Sequence, residues 1–121
     1  MAPEPDSLDA GVLQSLRALG GPEDPDFLPG LLREFLKHGE TAVIAMRAAV
    51  AAADSKTLDR TAHGLKGSGA SLGAKPLAAL CAELQALGAA GKASSAGPRV
   101  EAAAAEFLRV KARARSEISP R

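Results

Sequence analysis

The sequence predicts an all-α protein, an antiparallel four-helix bundle with a short N-terminal helix packed across one end. Three observations predict it. Alanine is abundant and β-branched runs are absent, which favours helix over strand. Apolar residues recur at three- and four-residue intervals, the helical period. Clusters of Gly and Pro fall between these stretches and punctuate them. The 121 residues are one domain's worth of chain. The expectation is therefore a single domain over 1–121, with a short helix at about 7–19 and a bundle over about 24–118.

In the first helix Leu8, Val12, Leu16 and Leu19 form one stripe, with Asp6 or Ser7 offered as N-cap and Gly20-Gly21-Pro22 as the stop. The second should start at Asp24-Pro25, a cap followed by proline, and run through Phe27, Leu28, Leu31, Leu32, Phe35, Leu36, Val43, Met46 and Val50 to near Asp54. Pro29 in its second turn requires either a kink or a later start to the regular helix. A third helix fits Ser55 to Leu72. A fourth runs from Pro76 through Leu77, Leu80, Cys81, Leu84 and Leu87 to a stop at Gly88, and a fifth from Pro98 through Val100, Ala104, Phe107 and Lys111. Short links and one-sided stripes make the antiparallel bundle the economical arrangement, closed within one chain as a monomer.

Composition narrows the function. Fifteen Lys and Arg against fourteen Asp and Glu leave no overall footprint for nucleic acid or an anionic membrane. The basic end, Arg109 to Arg115, complements the dipole of a last helix. With Phe27, Phe35 and Phe107 as the only aromatics, platforms for stacking bases are scarce. No secretory pattern and no long apolar run is found, so a cytoplasmic protein is expected. Cys81 stands alone, which gives no disulfide framework, and His38, His63 and Cys81 include no close-spaced ligand pair, so no metal is expected.

One stretch carries chemistry: Thr61-Ala62-His63-Gly64-Leu65-Lys66-Gly67-Ser68-Gly69-Ala70-Ser71-Leu72-Gly73-Ala74. Its glycines lack P-loop spacing and no strand precedes it, so a nucleotide loop does not fit. As a helix at about 100° per residue it puts Ala62, Leu65, Gly69 and Leu72 all within roughly 40° of Leu58, a stripe for a bundle core. His63 then lies about 140° away, exposed, with Arg60 one turn before it, Lys66 and Gly67 after it, and Ala70 and Ala74 continuing the row. An ordinary imidazole, with a pKa of about 6.5, is substantially neutral near pH 7 and nucleophilic. Such a histidine can accept a phosphoryl group, with Lys66 and Arg60 near the added dianion and Gly67 letting another protein approach the ring. His38, on the polar side of the second helix, carries no comparable surroundings.

The run Ala62-His63-Gly64-Leu65-Lys66-Gly67, followed by Leu72-Gly73-Ala74, resembles the AHxLKG signature of histidine-containing phosphotransfer (HPt) domains, and the flanking helices extend the resemblance over nearly the whole chain. The resemblance implies that His63 is the phosphoacceptor and that Lys66 steadies the phosphoryl group. Gly67, Ser68, Gly64 and Ala70 would then belong to the docking surface. It implies a phosphorelay intermediate that takes phosphate from a receiver-domain aspartate or a kinase and passes it to a receiver aspartate. Such a module is a phosphocarrier rather than an enzyme. It has no cofactor of its own, and Mg²⁺ is expected on the receiver. Its partners would be response-regulator receiver domains and a sensor histidine kinase, not nucleic acid or membrane. Gln85 stands where the family commonly has Glu, and Gly64 adds flexibility beside the nucleophile; neither is expected to touch the phosphoacceptor. The alternative is a non-phosphorylated helical adaptor for two-component proteins, against which the retained His63 argues. The dimerising region of a sensor kinase would need an ATP-binding region that these residues do not supply.

Overall fold

A computed structural model describes residues 7–118 as five α-helices: α1 (Ala10–Gly20), α2 (Phe27–Ala51), α3 (Ser55–Ser71), α4 (Lys75–Ala89) and α5 (Gly97–Ile118), with a 3₁₀ turn at Ala93–Ser95. Helices α2 to α5 form the bundle. α3 and α4 make one closely packed pair, and α2 and α5 pair behind them.

The first helix starts later than its sequence suggests. Asp9 is its cap, Oδ1 accepting from the amides of Gly11 at 2.8 Å and Val12 at 3.1 Å. Ser7 precedes that cap, and Asp6 lies outside the described residues. The later start breaks the expected stripe: Leu8 is buried outside the helix, Leu13 is the inward residue, and Leu19 is 74% exposed. The Asp9 amide donates to the Gly73 carbonyl at 2.9 Å, and Lys75 Nζ donates to Asp9 Oδ2 at 2.7 Å. Lys75, with the amides of Val12 and Gly11, holds the Asp9 carboxyl below the usual range. At its other end α1 pairs Arg17 with Glu117 of α5. It therefore crosses the bundle end at which α3 stops, α4 starts and α5 finishes.

α2 also begins late, at Phe27, after a turn in which the Phe27 amide donates to the Asp24 carbonyl at 3.2 Å. Pro29 is then in the first turn, where a missing N–H forfeits no intrahelical bond. A later start, rather than a kink, thus accommodates the proline. Leu28, Leu32, Phe35, Met46 and Ala49 face the core. Full burial of each large side chain contributes about 1.5–3 kcal/mol. Against α5, Phe107 packs tilted on Phe35, centroids 6.1 Å apart, and fits over Gly39, where a Cβ would collide with its ring.

Three successive helices end alike. The amides of Asp54, Ala74 and Lys92 each donate at 2.8 Å to carbonyls five residues back, those of Ala49, Gly69 and Leu87. The residue before each donor is left-handed: Ala53 at φ 54°, Gly73 at φ 80° and Gly91 at φ 74°. This is the Schellman stop, and glycine is its low-strain occupant. Gly91 thus ends α4, not Gly88. Gly88 is buried inside the helix, where an added Cβ would stand 2.6 Å from the Asp59 nitrogen and 2.8 Å from the Ser55 carbonyl oxygen. α3 and α4 meet there backbone to backbone.

Candidate functional site

α3 positions the site. Asp54 caps it, Oδ1 accepting from the Thr57 amide at 3.1 Å and Oδ2 from the Thr57 hydroxyl at 2.7 Å. The stripe Leu58, Ala62, Leu65, Gly69 and Leu72 is buried. That fixes the rotation of the helix, so His63 faces solvent, as do Arg60, Gly64, Gly67 and Ala70. Ala74 leaves the expected row: the turn at Gly73 makes it the residue capping α4, and it is fully buried.

Space around the imidazole is open on one side. A Cβ added at Gly64 or Gly67 would meet nothing within 4 Å. Glycine in a helix interior costs about 0.5–1 kcal/mol relative to alanine, and no packing inside the molecule requires it at these two positions. The hydroxyls of Ser68 and Ser71 donate back to the Gly64 and Gly67 carbonyls, both at 3.1 Å. They are turned along their own helix and extend no donor toward the ring.

The other side is braced. Gln85 of α4 places its amide Nε2 3.1 Å from His63 Nδ1. The expectation that the change at Gln85 leaves the phosphoacceptor untouched is therefore corrected. The physical cause is the close approach at Gly88, one turn along α4, which brings the side chains of Gln85 and His63 within reach. Because amide oxygen and nitrogen are nearly isosteric, Gln85 can donate to a bare Nδ1 or, turned over, accept from Nδ1–H. Either way Nδ1 is engaged and Nε2 is the ring nitrogen left free.

The cations flank the ring differently. Lys66 is half-buried, three residues on from His63 and on the α4 side, where its charge acts on Cys81. Arg60 lies toward the start of the helix, where it adds to the effect of Thr57, whose hydrogen bonds chiefly hold the Asp54 carboxyl below its usual range. Cys81 is fully buried, and burial pushes its thiol up to about 11, so it stays protonated. His38 is elsewhere, on the rim of an apolar groove of about 440 Å³ between α1, α2 and α3 that Leu16, Leu31, Phe35, Ser68 and Leu72 also line. Ser68 thus joins the His63 helix to that groove. Among the described residues no three His, Cys, Asp or Glu side chains come together as a metal site, and no helix is long and apolar enough to cross a membrane.

Against known proteins, the family model of the Hpt domain matches residues 30–114. The crystal structure of histidine-containing phosphotransfer protein B (HptB) from Pseudomonas aeruginosa PAO1 superposes with a TM-score of 0.87 at 31% identity, covering 98% of this chain and 99% of that one. A comparison with curated protein sequences gave no match. The matched family segment holds α3 and α4 entire, and with them His63, Lys66, Gly67 and Gln85; α1 lies outside it.

Proposed function

The chain belongs to the Hpt domain family, and from that membership we propose that His63 Nε2 takes a phosphoryl group from a receiver aspartate or a kinase and returns it to the aspartate of another receiver. The observation that carries the reading is the His63–Gln85 pair: an exposed imidazole held at Nδ1, with a side-chain-free approach over Gly64 and Gly67.

In the accepting step the Nε2 lone pair attacks the phosphorus of an aspartyl phosphate. The P–N bond forms as the P–O bond breaks, and the carboxylate departs with its electron pair. For this the proton must sit on Nδ1, donated to Gln85 Oε1; the ring gains positive charge on phosphorylation, which strengthens that hydrogen bond. Gln85 is thus a positioning residue: its amide, turned to accept from Nδ1–H, holds the ring with Nε2 outward. Lys66, within a helical turn, supplies positive charge to the phosphoryl oxygens, while Arg60 contributes at longer range. Mg²⁺ and the aspartate come with the receiver. The reverse displacement passes the group on, so this chain acts as a carrier.

The receiver's face is expected to cover Gly64, Gly67 and Ala70 and to reach Ser68 at the edge of the α1–α2–α3 groove. The test is His63→Gln, exposed to a phosphorylated receiver and separately to phosphoramidate. Acceptance should vanish with both donors while the melting temperature stays nearly constant, because surface substitutions usually move stability by no more than about 0.5 kcal/mol. Phosphorylation of His63→Gln, or its loss in His38→Gln instead, would overturn the assignment.

A further inference from the structure

The face of the bundle behind the α3/α4 pair carries a second apolar feature. Between α2 and α5 lies a groove of about 230 Å³ floored by Val43, Ala104 and Phe107. Ile44, 68% exposed, and Leu108, 64% exposed, stand at its mouth. Two ion pairs frame it. Lys111 Nζ meets Glu40 Oε2 at 2.7 Å toward one end, and at the other Arg47 holds Glu101 through Nε at 2.9 Å and Nη2 at 2.7 Å.

The charge pattern says what fits there. α2 presents Glu40 and then Arg47, while the antiparallel α5 presents Glu101 and then Lys111, so signs alternate around the four corners. Turning a copy over this face about a twofold axis in its plane, along the helices or across them, sets every corner above one of opposite sign. Glu40, Arg47 and Glu101 are each more than half exposed and Lys111 is partly so; Glu40 bonds through one oxygen only and Arg47 keeps Nη1 unused, so each pair can take a second partner. A uniformly acidic or basic partner would meet like charge at two corners. A face that complements itself is what an isologous dimer requires.

We propose that folded chains associate through this α2/α5 face, Ile44 and Leu108 of each entering the groove of the other. The core of each chain is buried within itself, so the monomer expected from sequence is the unit that associates, with no exchange of helices. His63, on the α3/α4 side, stays open in both copies. A groove this small belongs with weak interfaces, so the dimer should appear between about 10 µM and 1 mM.

Sedimentation velocity on the unphosphorylated protein over that range tests it. The expected result is a reversible monomer–dimer equilibrium that weakens with added salt. Ile44→Glu and Leu108→Glu should each raise the dissociation constant by at least about tenfold, as truncating or charging a central apolar anchor does. Leu19→Glu, at an equally exposed leucine of α1, should leave it unchanged. Circular dichroism and phosphoramidate labelling of His63 should be the same in all four proteins. A chain that remains monomeric at about 1 mM, a dimer indifferent to both groove variants, or one equally sensitive to Leu19→Glu would overturn the proposal. None of these outcomes depends on the phosphoacceptor assignment.

Discussion

Glycine serves opposite ends in two regions of this molecule. In the interior, Gly88 and Gly39 are filled sites: the Asp59 backbone stands where a Cβ of residue 88 would be, and the Phe107 ring where one of residue 39 would be. On the exposed face of α3, Gly64 and Gly67 have nothing near them. A glycine pressed by its neighbours is explained by the fold. A glycine in a helix with open space on all sides lowers stability without improving packing, and what it preserves is access from outside. The same residue type thus separates the packing of α3 from its chemistry.

The largest expected effect lies on the packed side. Gly88→Ala puts a methyl against backbone, which no rotamer change can relieve, so α3 and α4 must part. Overpacking of this kind costs about 1–3 kcal/mol, and thermal or denaturant unfolding should place this variant at the upper end. Separation of the pair should also disturb the His63–Gln85 contact, visible as a shift in the imidazole NMR resonances. A variant as stable as the parent would erase the distinction between the two regions.

Next comes the open side. Gly67→Gln should match or exceed the parent in stability, since glycine is about 1 kcal/mol worse than alanine in a helix and glutamine is a good helix former. Transfer from a phosphorylated receiver should fall by about a hundredfold, the scale of an ångström's misplacement of reacting atoms. Phosphoramidate, which needs no docking surface, should label His63 almost as before. Equal loss with both donors would assign Gly67 to the chemistry, and loss with neither would move the docking surface elsewhere.

The smallest effect sharpens the comparison from a third direction. Ala53 occupies the left-handed stop of α2, where α3 and α4 have Gly73 and Gly91. The left-handed conformation costs a non-glycine residue roughly 1–2 kcal/mol, and glycine's greater freedom in the unfolded chain returns about 0.5–1 of that. Ala53→Gly should therefore raise stability by about 0.5 kcal/mol in denaturant titrations, with no change in labelling of His63. A decrease would show that the turn tolerates its alanine without strain.

Helix number, the α3 stripe and the outward face of His63 were legible in the sequence because each follows from helical periodicity within one segment. Boundaries were less so. The start of α1 depends on Asp9 meeting Gly73 and Lys75, 64 and 66 residues further along the chain. The start of α2 depends on a turn at Asp24–Asp26 that competes with the expected cap. Gly88 read as a stop because glycine commonly ends helices, whereas its packing role appears only when α3 is laid against α4. Gln85 stands out in the sequence as a departure from the family pattern, but its contact with the imidazole depends on register between helices, which no single segment encodes. The match of Ala62 to Gly67 identified the motif and left its α4 brace unseen.

The tight α3–α4 hairpin also bears on how the chain folds. Only Leu72, Gly73 and Ala74 separate the two helices, so little loop-closure entropy opposes their pairing. Docking of α5 on α2 must instead close a loop that contains the whole hairpin. Local contacts form with the least delay, so the α3–α4 pair is expected early, in the folding nucleus, and α5 among the elements added after the barrier. His63 and Gln85, 22 residues apart, would then meet early. Rare openings that peel away α5 would therefore leave their pairing intact, and amide exchange should be slowest along the buried seam of α3 and α4.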